Sequence, residues 1–195
     1  GTKQTLWGVF FTDATDGTAI GENGTILRTT NGGTTWVSQT SGTALNLRAV
    51  SFTDSSSGTA VGEGGVIVRT TNGGGTWAPQ SSGTLETLFG VTFSDSSTGT
   101  AVGGTFGKSE IFRTTDGGEH WVPQANPRTQ FLFDVSFTGT NNGTAVGDSG
   151  TILRTTDGGN NWAPQASGTT KTLHGVSFAD TNNGMVVGFE FGGTG

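Results

Sequence analysis

Apolar residues in this chain alternate with polar or small ones in bursts of about six residues, never in long stretches. The burst Leu47-Arg-Ala-Val-Ser-Phe52 sets the form. Leu6-Trp-Gly-Val-Phe-Phe11, Leu88-Phe-Gly-Val-Thr-Phe93, Leu132-Phe-Asp-Val-Ser-Phe137 and Leu173-His-Gly-Val-Ser-Phe178 repeat it. A period of two in short segments rich in Val, Thr and Phe marks a half-buried strand. Each burst leads through a polar turn ending in Gly to a second strand such as Gly58-Thr-Ala-Val-Gly62. A tight turn and a third strand such as Thr151-Ile-Leu-Arg-Thr-Thr156 follow, then a Gly-Gly-x-x-Trp segment that supplies a fourth. No window sustains a 3.6-residue apolar period, so almost no helix is expected.

The closing segment occurs four times, with Trp36, Trp77, Trp121 and Trp162 spaced 41, 44 and 41 residues apart. Strand-rich units of that period predict an all-β propeller, in which each four-stranded antiparallel blade buries its faces against its neighbours. The expected blades are 5–40, 46–81, 87–125, 131–166 and a partial one at 172–195. Asn31, Asn72, Asp116 and Asp157 open the Gly-Gly turns, where a short side-chain oxygen accepts from backbone N–H groups further on. Asn and Asp interchange there, which argues for a capping acceptor over a catalytic or metal-binding carboxylate. Gly33, Gly74, Gly118 and Gly159 supply positive φ, and the tryptophans are expected to pack over the turn or between blades.

Composition removes several classes. Charged residues make up 12% of the chain, and no apolar run reaches the roughly 18 residues of a membrane helix, so no membrane span is expected. Cys is absent, and His120 and His174 stand too far apart to suggest a zinc site; no metal or cofactor is expected. A net charge of −6 argues against nucleic acid, which demands a basic footprint. Few lysines, no Cys and abundant Gly, Thr and Ser fit a secreted or extracellular protein.

The four turns match the Asp-box, or bacterial neuraminidase repeat, with Asn in place of Asp in the first two. The longer phrase from Gly143 to Trp162 resembles the repeat of the photosystem II assembly and stability factor family, and the resemblance covers essentially the whole chain. It implies a seven-bladed propeller acting as a non-catalytic assembly chaperone, and it makes the thylakoid lumen or periplasm the alternative location. At this period seven blades need on the order of 290 residues, whereas the chain holds four blades and half of a fifth, through Met185-Val-Val-Gly188 and Phe189-Glu-Phe191. The expectation is a segment of a larger propeller, or an array whose ends are covered by another copy or domain.

Enzyme readings fare poorly. A sialidase needs a Tyr nucleophile, and the chain has no Tyr. Glu22, Glu63 and Asp148 follow the second strand in successive blades, a repetition that suits solvated turns better than an asymmetric catalytic pair. Binding residues are sought where blades differ. Just inside the opening strand the invariant Leu is followed by Trp7, Arg48, Phe89, Phe133 and His174. The third blade carries a longer hairpin and an unusual following loop, in which Phe106, Lys108, Arg128 and Phe131 are expected to form one protruding patch. Arg28, Arg69, Arg113 and Arg154 recur in the third strand, where each is expected to hold its own blade together. The sequons at Asn23 and Asn142 lie on turns. The chain is therefore read as a non-catalytic binding or structural module, an extracellular interaction or assembly scaffold. Its partner is a protein or other copies of itself, with a photosystem assembly chaperone and a glycan-binding or glycan-hydrolysing propeller as alternatives.

Overall fold

The computed structural model describes residues 2–189; Gly1 and the last six residues of the partial blade, 190–195, lie outside them. Four sheets form, each a meander of four antiparallel strands in sequence order. The first holds β1 (Leu6–Phe11), β2 (Gly17–Gly21), β3 (Ile26–Thr29) and β4 (Val37–Gln39). The second holds β5 (Leu47–Phe52), β6 (Gly58–Gly62), β7 (Ile67–Thr70) and β8 (Ala78–Gln80). The third holds β9 (Thr87–Phe93), β10 (Gly99–Thr105), β11 (Lys108–Thr114) and β12 (Val122–Pro123). The fourth holds β13 (Leu132–Thr138), β14 (Asn142–Gly147), β15 (Ile152–Thr155) and β16 (Ala163–Gln165). A two-stranded sheet of β17 (Leu173–Phe178) and β18 (Gly184–Gly188) follows. The only helical pieces among the described residues are three-residue 3₁₀ turns after β2, β6 and β14.

The opening strands β1, β5, β9, β13 and β17 lie side by side at the inner edge of the array. Side chains bridge them: the Phe93 N–H donates to Ser51 Oγ at 3.3 Å, and the Phe178 N–H to Ser136 Oγ at 3.3 Å. Cores form between sheets as well as within them. Ile20 and Ile26 of the first sheet pack with Leu47, Val50, Phe52 and Trp77 of the second, and the next junctions repeat the scheme with Val61 and Ile67, then Val102 and Ile111. A two-residue strand period thus sends alternate side chains into the core on either side of each sheet.

The recurring arginines do more than close their own blades. Arg28 donates to Thr18 Oγ1 at 3.3 Å and Asp16 Oδ1 at 3.0 Å on its own sheet, then to the Ser55 carbonyl of the next at 3.1 Å. Its guanidinium also lies 5.6 Å from the centre of the Phe52 ring. Arg154 does the same with Thr144, the Thr181 carbonyl at 2.9 Å and Phe178. These arginines staple successive sheets, because the third strand's side chain is long enough to cross to the next polar turn.

Candidate functional site

Every opening strand carries a β-bulge at the same place. Leu6 pairs with Gly21 and Gly8 with Ile20, which leaves Trp7 between them; Arg48, Phe89, Phe133 and His174 are left over in the same way. A bulge of this kind kinks the strand and re-aims the extra side chain, and bulges cluster beside functional sites. The glycine closing each second strand permits it. A Cβ on Gly62 would lie 2.0 Å from the Asn46 carbonyl oxygen, and Gly21, Gly103, Gly147 and Gly188 meet the equivalent carbonyl at 1.9–2.1 Å.

The five bulged residues sit at one end of the inner strands and touch in two groups, Trp7 with Arg48 and Phe89 through Phe133 to His174. Arg48 stacks its guanidinium 4.0 Å from the centre of the Trp7 ring. Phe89 and Phe133 lie 5.2 Å apart, Phe133 and His174 4.9 Å, and His174 stacks on Phe189 at 4.3 Å and 17°. Phe131 adds a second layer, stacked 5.9 Å from Phe133 and 6.2 Å from Phe89. Trp7 and Phe189 are exposed, and the rest are half-buried. These residues form a ladder of π faces with one guanidinium. Ring pairs at such spacings contribute about 0.5–1.5 kcal/mol each beyond their burial.

Hydrogen bonds fix the loops that lead into the bulges. Glu63 pairs with Arg48 and accepts from Asn46 Nδ2 at 3.0 Å. The Asn46 amide, followed by the Arg48 guanidinium, holds its carboxyl below the usual range. Glu22 accepts from the Thr5 N–H at 3.0 Å and Asp148 from Thr172 Oγ1 at 2.8 Å. In the third sheet Glu110 takes this part, accepting from Thr84 Oγ1 at 2.7 Å. The three turn carboxylates expected to be merely solvated are therefore anchors for the rim, since the interblade loop crosses within reach of the 3₁₀ turn. Asp134 stands one residue beyond the Phe133 bulge, where the other blades have Gly or Ala. It accepts from the Val176 and Val135 N–H groups at 2.8 Å, and burial pushes its carboxyl up.

The third-blade patch divides. Phe131 joins the ladder, and Phe106 stands 93% exposed at the tip of the β10–β11 hairpin. Lys108 is paired to Glu110 at 2.6 Å on its own strand. Arg128 is exposed, its carbonyl accepting from Ser109 Oγ beside Lys108. Phe131 is drawn to the axis because the loop 125–131 feeds directly into β13.

The Gly-Gly turns lie on the opposite face. Asn31 Oδ1 accepts from the Thr35 N–H at 2.9 Å and from Thr29 Oγ1 at 3.0 Å; Asn72, Asp116 and Asp157 make the same pair of bonds. Gly33, Gly74, Gly118 and Gly159 have φ from +85° to +97°, and their N–H groups reach the threonine hydroxyls at 2.8–2.9 Å. Each Trp meets the last Phe of its own opening strand edge-on at 6.0 Å. The Asn161 side chain is the foremost influence lowering Asp157 to about 2, and the His120 backbone N–H that holding Asp116 well below the carboxylate range. Asp116, Glu119 and His120 offer ligand atoms within 4.8 Å of one another on this exposed turn. In the sequence Asp116 reads as a capping acceptor and His120 is set only against His174, so the triplet carries no signal there.

Comparison with known proteins gives the fold its relatives. The family model described as photosynthesis system II assembly factor YCF48 matches residues 1–82 and 123–190. A solved structure of YCF48 bound to a D1 peptide is 17% identical, covers 96% of this chain and 91% of its own, and superposes with a TM-score of 0.55. YCF48 from Cyanidioschyzon merolae is 16% identical, with coverage of 96% and 94% and a TM-score of 0.53. An ancestral GH74 enzyme gives a TM-score of 0.75 at 18% identity over 93% of this chain but 27% of that one. No curated protein matches the chain.

Proposed function

We propose, from the premise that this chain belongs to the photosynthesis system II assembly factor YCF48 family, that it is a non-catalytic module which captures a segment of a partner protein on its axial ladder. The observation that carries this reading is the run of five β-bulges that turn Trp7, Arg48, Phe89, Phe133 and His174 toward one rim. Bulges forgo ladder hydrogen bonds, and here all five serve to present the residues in which the blades differ. Flat rings beside a guanidinium are the residue types that dominate protein interfaces. A solved YCF48 carries a D1 peptide, and we take the same ligand class, an extended polypeptide, for this chain. Among the described residues, Glu22, Glu63, Glu110 and Asp148 near the rim are held by N–H, hydroxyl and guanidinium partners, which suits anchoring of the loops better than the opposed acid and base of a hydrolase. The same reading favours a thylakoid lumen or periplasm over a secreted scaffold. No helix among the described residues is long and apolar enough to cross a membrane.

The test is an array of overlapping 15-residue peptides tiled over a D1 sequence, probed with the wild-type chain and with Phe133→Ala and Arg48→Ala. Selective spots that fade at least tenfold with either rim variant, and persist with Glu119→Ala on the opposite face, are the expected result. An array without selective spots, or binding indifferent to both rim variants, rejects the reading. Capture on a glycan array in place of the peptides moves the module to a carbohydrate ligand.

A further inference from the structure

Arg28 and Arg69 hold the same place in successive sheets, opposite Thr18 and Thr59, yet their surroundings differ in charge. Arg28 donates to Thr18, to the Asp16 carboxylate and to the Ser55 carbonyl. One repeat on, those three places fall to Thr59, Ser57 and Ser96. Arg69 makes no hydrogen bond or ion pair with any of them, or with any other of the described residues. Its guanidinium lies instead against the next Gly-Gly turn, where a Cβ on Gly117 would meet Nη2 at 2.9 Å. The carboxylate that draws Arg28 across its strand is a neutral hydroxyl here.

A cavity of about 10 Å³ lies at this place between the second and third sheets, lined by Ser57, Thr59, Ser96 and Arg69 together with Ser51 and Phe93. That is the room of about one water molecule or one small ion. Thr59 is 2% exposed, and its hydroxyl has no partner among the described residues. Ser51, also buried, accepts from the Phe93 N–H at 3.3 Å, so its own proton is left to give. No carboxylate lines the cavity. Asp54, in the adjoining turn, is spent on the Ser56 and Ser57 N–H groups at 2.7 and 2.8 Å. A guanidinium and several hydroxyls that can all turn their protons inward make a donor-rich cage, which repays an anion for the water it leaves.

We propose that this cavity is a halide site, in which a chloride ion takes the place beside Arg69 that the Asp16 carboxylate takes beside Arg28. Charge sets the class of ligand, because donors converge there and Ser57 has replaced the acid. Size sets the member, because a solvent-sized cavity admits chloride or bromide and excludes phosphate or an organic acid. The ion joins Ser57 and Thr59 of the second sheet to Ser96 of the third, and so staples the two sheets as Arg28 does through the Ser55 carbonyl. The cavity adjoins Gly58, opposite Phe52 at the far end of β5 from the Leu47 bulge. Halide binding and peptide capture on the rim are therefore separate readouts.

The test compares melting of the wild-type chain in sodium chloride and in sodium gluconate at equal ionic strength, with the chloride NMR linewidth as a direct reading of binding. An ion that half-saturates near 50 mM is expected to raise the melting temperature by about 3 °C in about 200 mM chloride, and the chain is expected to broaden the chloride line. Ser57→Asp supplies the missing carboxylate, in the arrangement that Asp13 and Asp16 already share in the first sheet. It is expected to melt higher than the wild type in gluconate and to lose both the chloride shift and the broadening. Arg69→Gln is expected to lose both responses without that gain, and it serves as the test should Ser57→Asp misfold. A wild type that melts alike in the two salts, or that leaves the chloride line unbroadened, means that the cavity holds water only and overturns the proposal. Responses that survive in the folded variants place the ion elsewhere and overturn it as well.

Discussion

Leu88→Ala should cost far more stability than Leu6→Ala, although the two leucines hold the same position in the same repeat. Leu88 is 0% exposed, enclosed by Val61 and Ile67 of the preceding sheet and by Val91 and Trp121 of its own. Truncation removes three methylene-sized groups at about 0.8 kcal/mol each, or about 2.4 kcal/mol. The cavity left between two sheets adds roughly 1–2 kcal/mol, for a total of about 4 kcal/mol. Leu6 lacks a covering sheet and is 42% exposed. About 0.6 of the transfer contribution applies to it, and an open groove traps no cavity, so the loss is about 1.4 kcal/mol. Urea unfolding followed by tryptophan fluorescence gives both values under identical conditions. Equal losses would mean that sheet-to-sheet packing is not what holds the opening strands.

Arg28→Ala should destabilise by about 2 kcal/mol, since it leaves Asp16 and the Ser55 carbonyl without their buried guanidinium partner; a midpoint unchanged in urea would contradict the stapling role. Gly62→Ala drives a Cβ to 2.0 Å from the Asn46 carbonyl and should cost about 3 kcal/mol, collapsing the Arg48 bulge. Gly83→Ala, with φ of +76° in open space, should cost about 1 kcal/mol, and thermal shifts of similar size would count against the bulge geometry. Acid sensitivity follows from the Gly-Gly turns. Asp157, whose folded pKa is lowered to about 2, contributes stability that is complete above its unfolded value of about 4 and is lost as pH falls through 2. Asp157→Asn should flatten the urea midpoint between pH 4 and pH 2, and an unaltered profile would show that the turn carboxylate is not stabilised in the folded state.

The strands, their four-fold grouping and the propeller were legible because each depends on local signals: period-two alternation, Gly turns and the Trp interval. The rim was legible only as variation beside an invariant Leu. Nothing in the letters distinguishes a bulged residue from an ordinary strand residue, because the bulge is a matter of register, visible only when Leu47 is seen opposite Gly62 and Ala49 opposite Val61. Its one sequence trace is the glycine closing each second strand, which reads equally well as a turn residue. The roles of Arg28 and Glu63 escaped for a related reason. Their partners, Ser55 and Arg48, lie 27 and 15 residues away, separations that match neither the two-residue strand period nor the 41-residue repeat. Phe131 was assigned to a protruding loop, and its stacking on Phe133 depends on how that loop enters the inner strand.

Hydrogen–deuterium exchange of the chain, free and saturated with the best D1-derived peptide from the array, reads out whether the peptide lies on the bulged rim. Bulged residues sit outside the regular ladder and exchange readily in the free protein, so protection there is easy to read. Slowed exchange is expected in segments 5–9, 46–50, 87–91, 131–135 and 172–176, with the four Gly-Gly turns unchanged. Protection that falls instead on the turns around Asn31, Asn72, Asp116 and Asp157, or that spares the bulges, would contradict it.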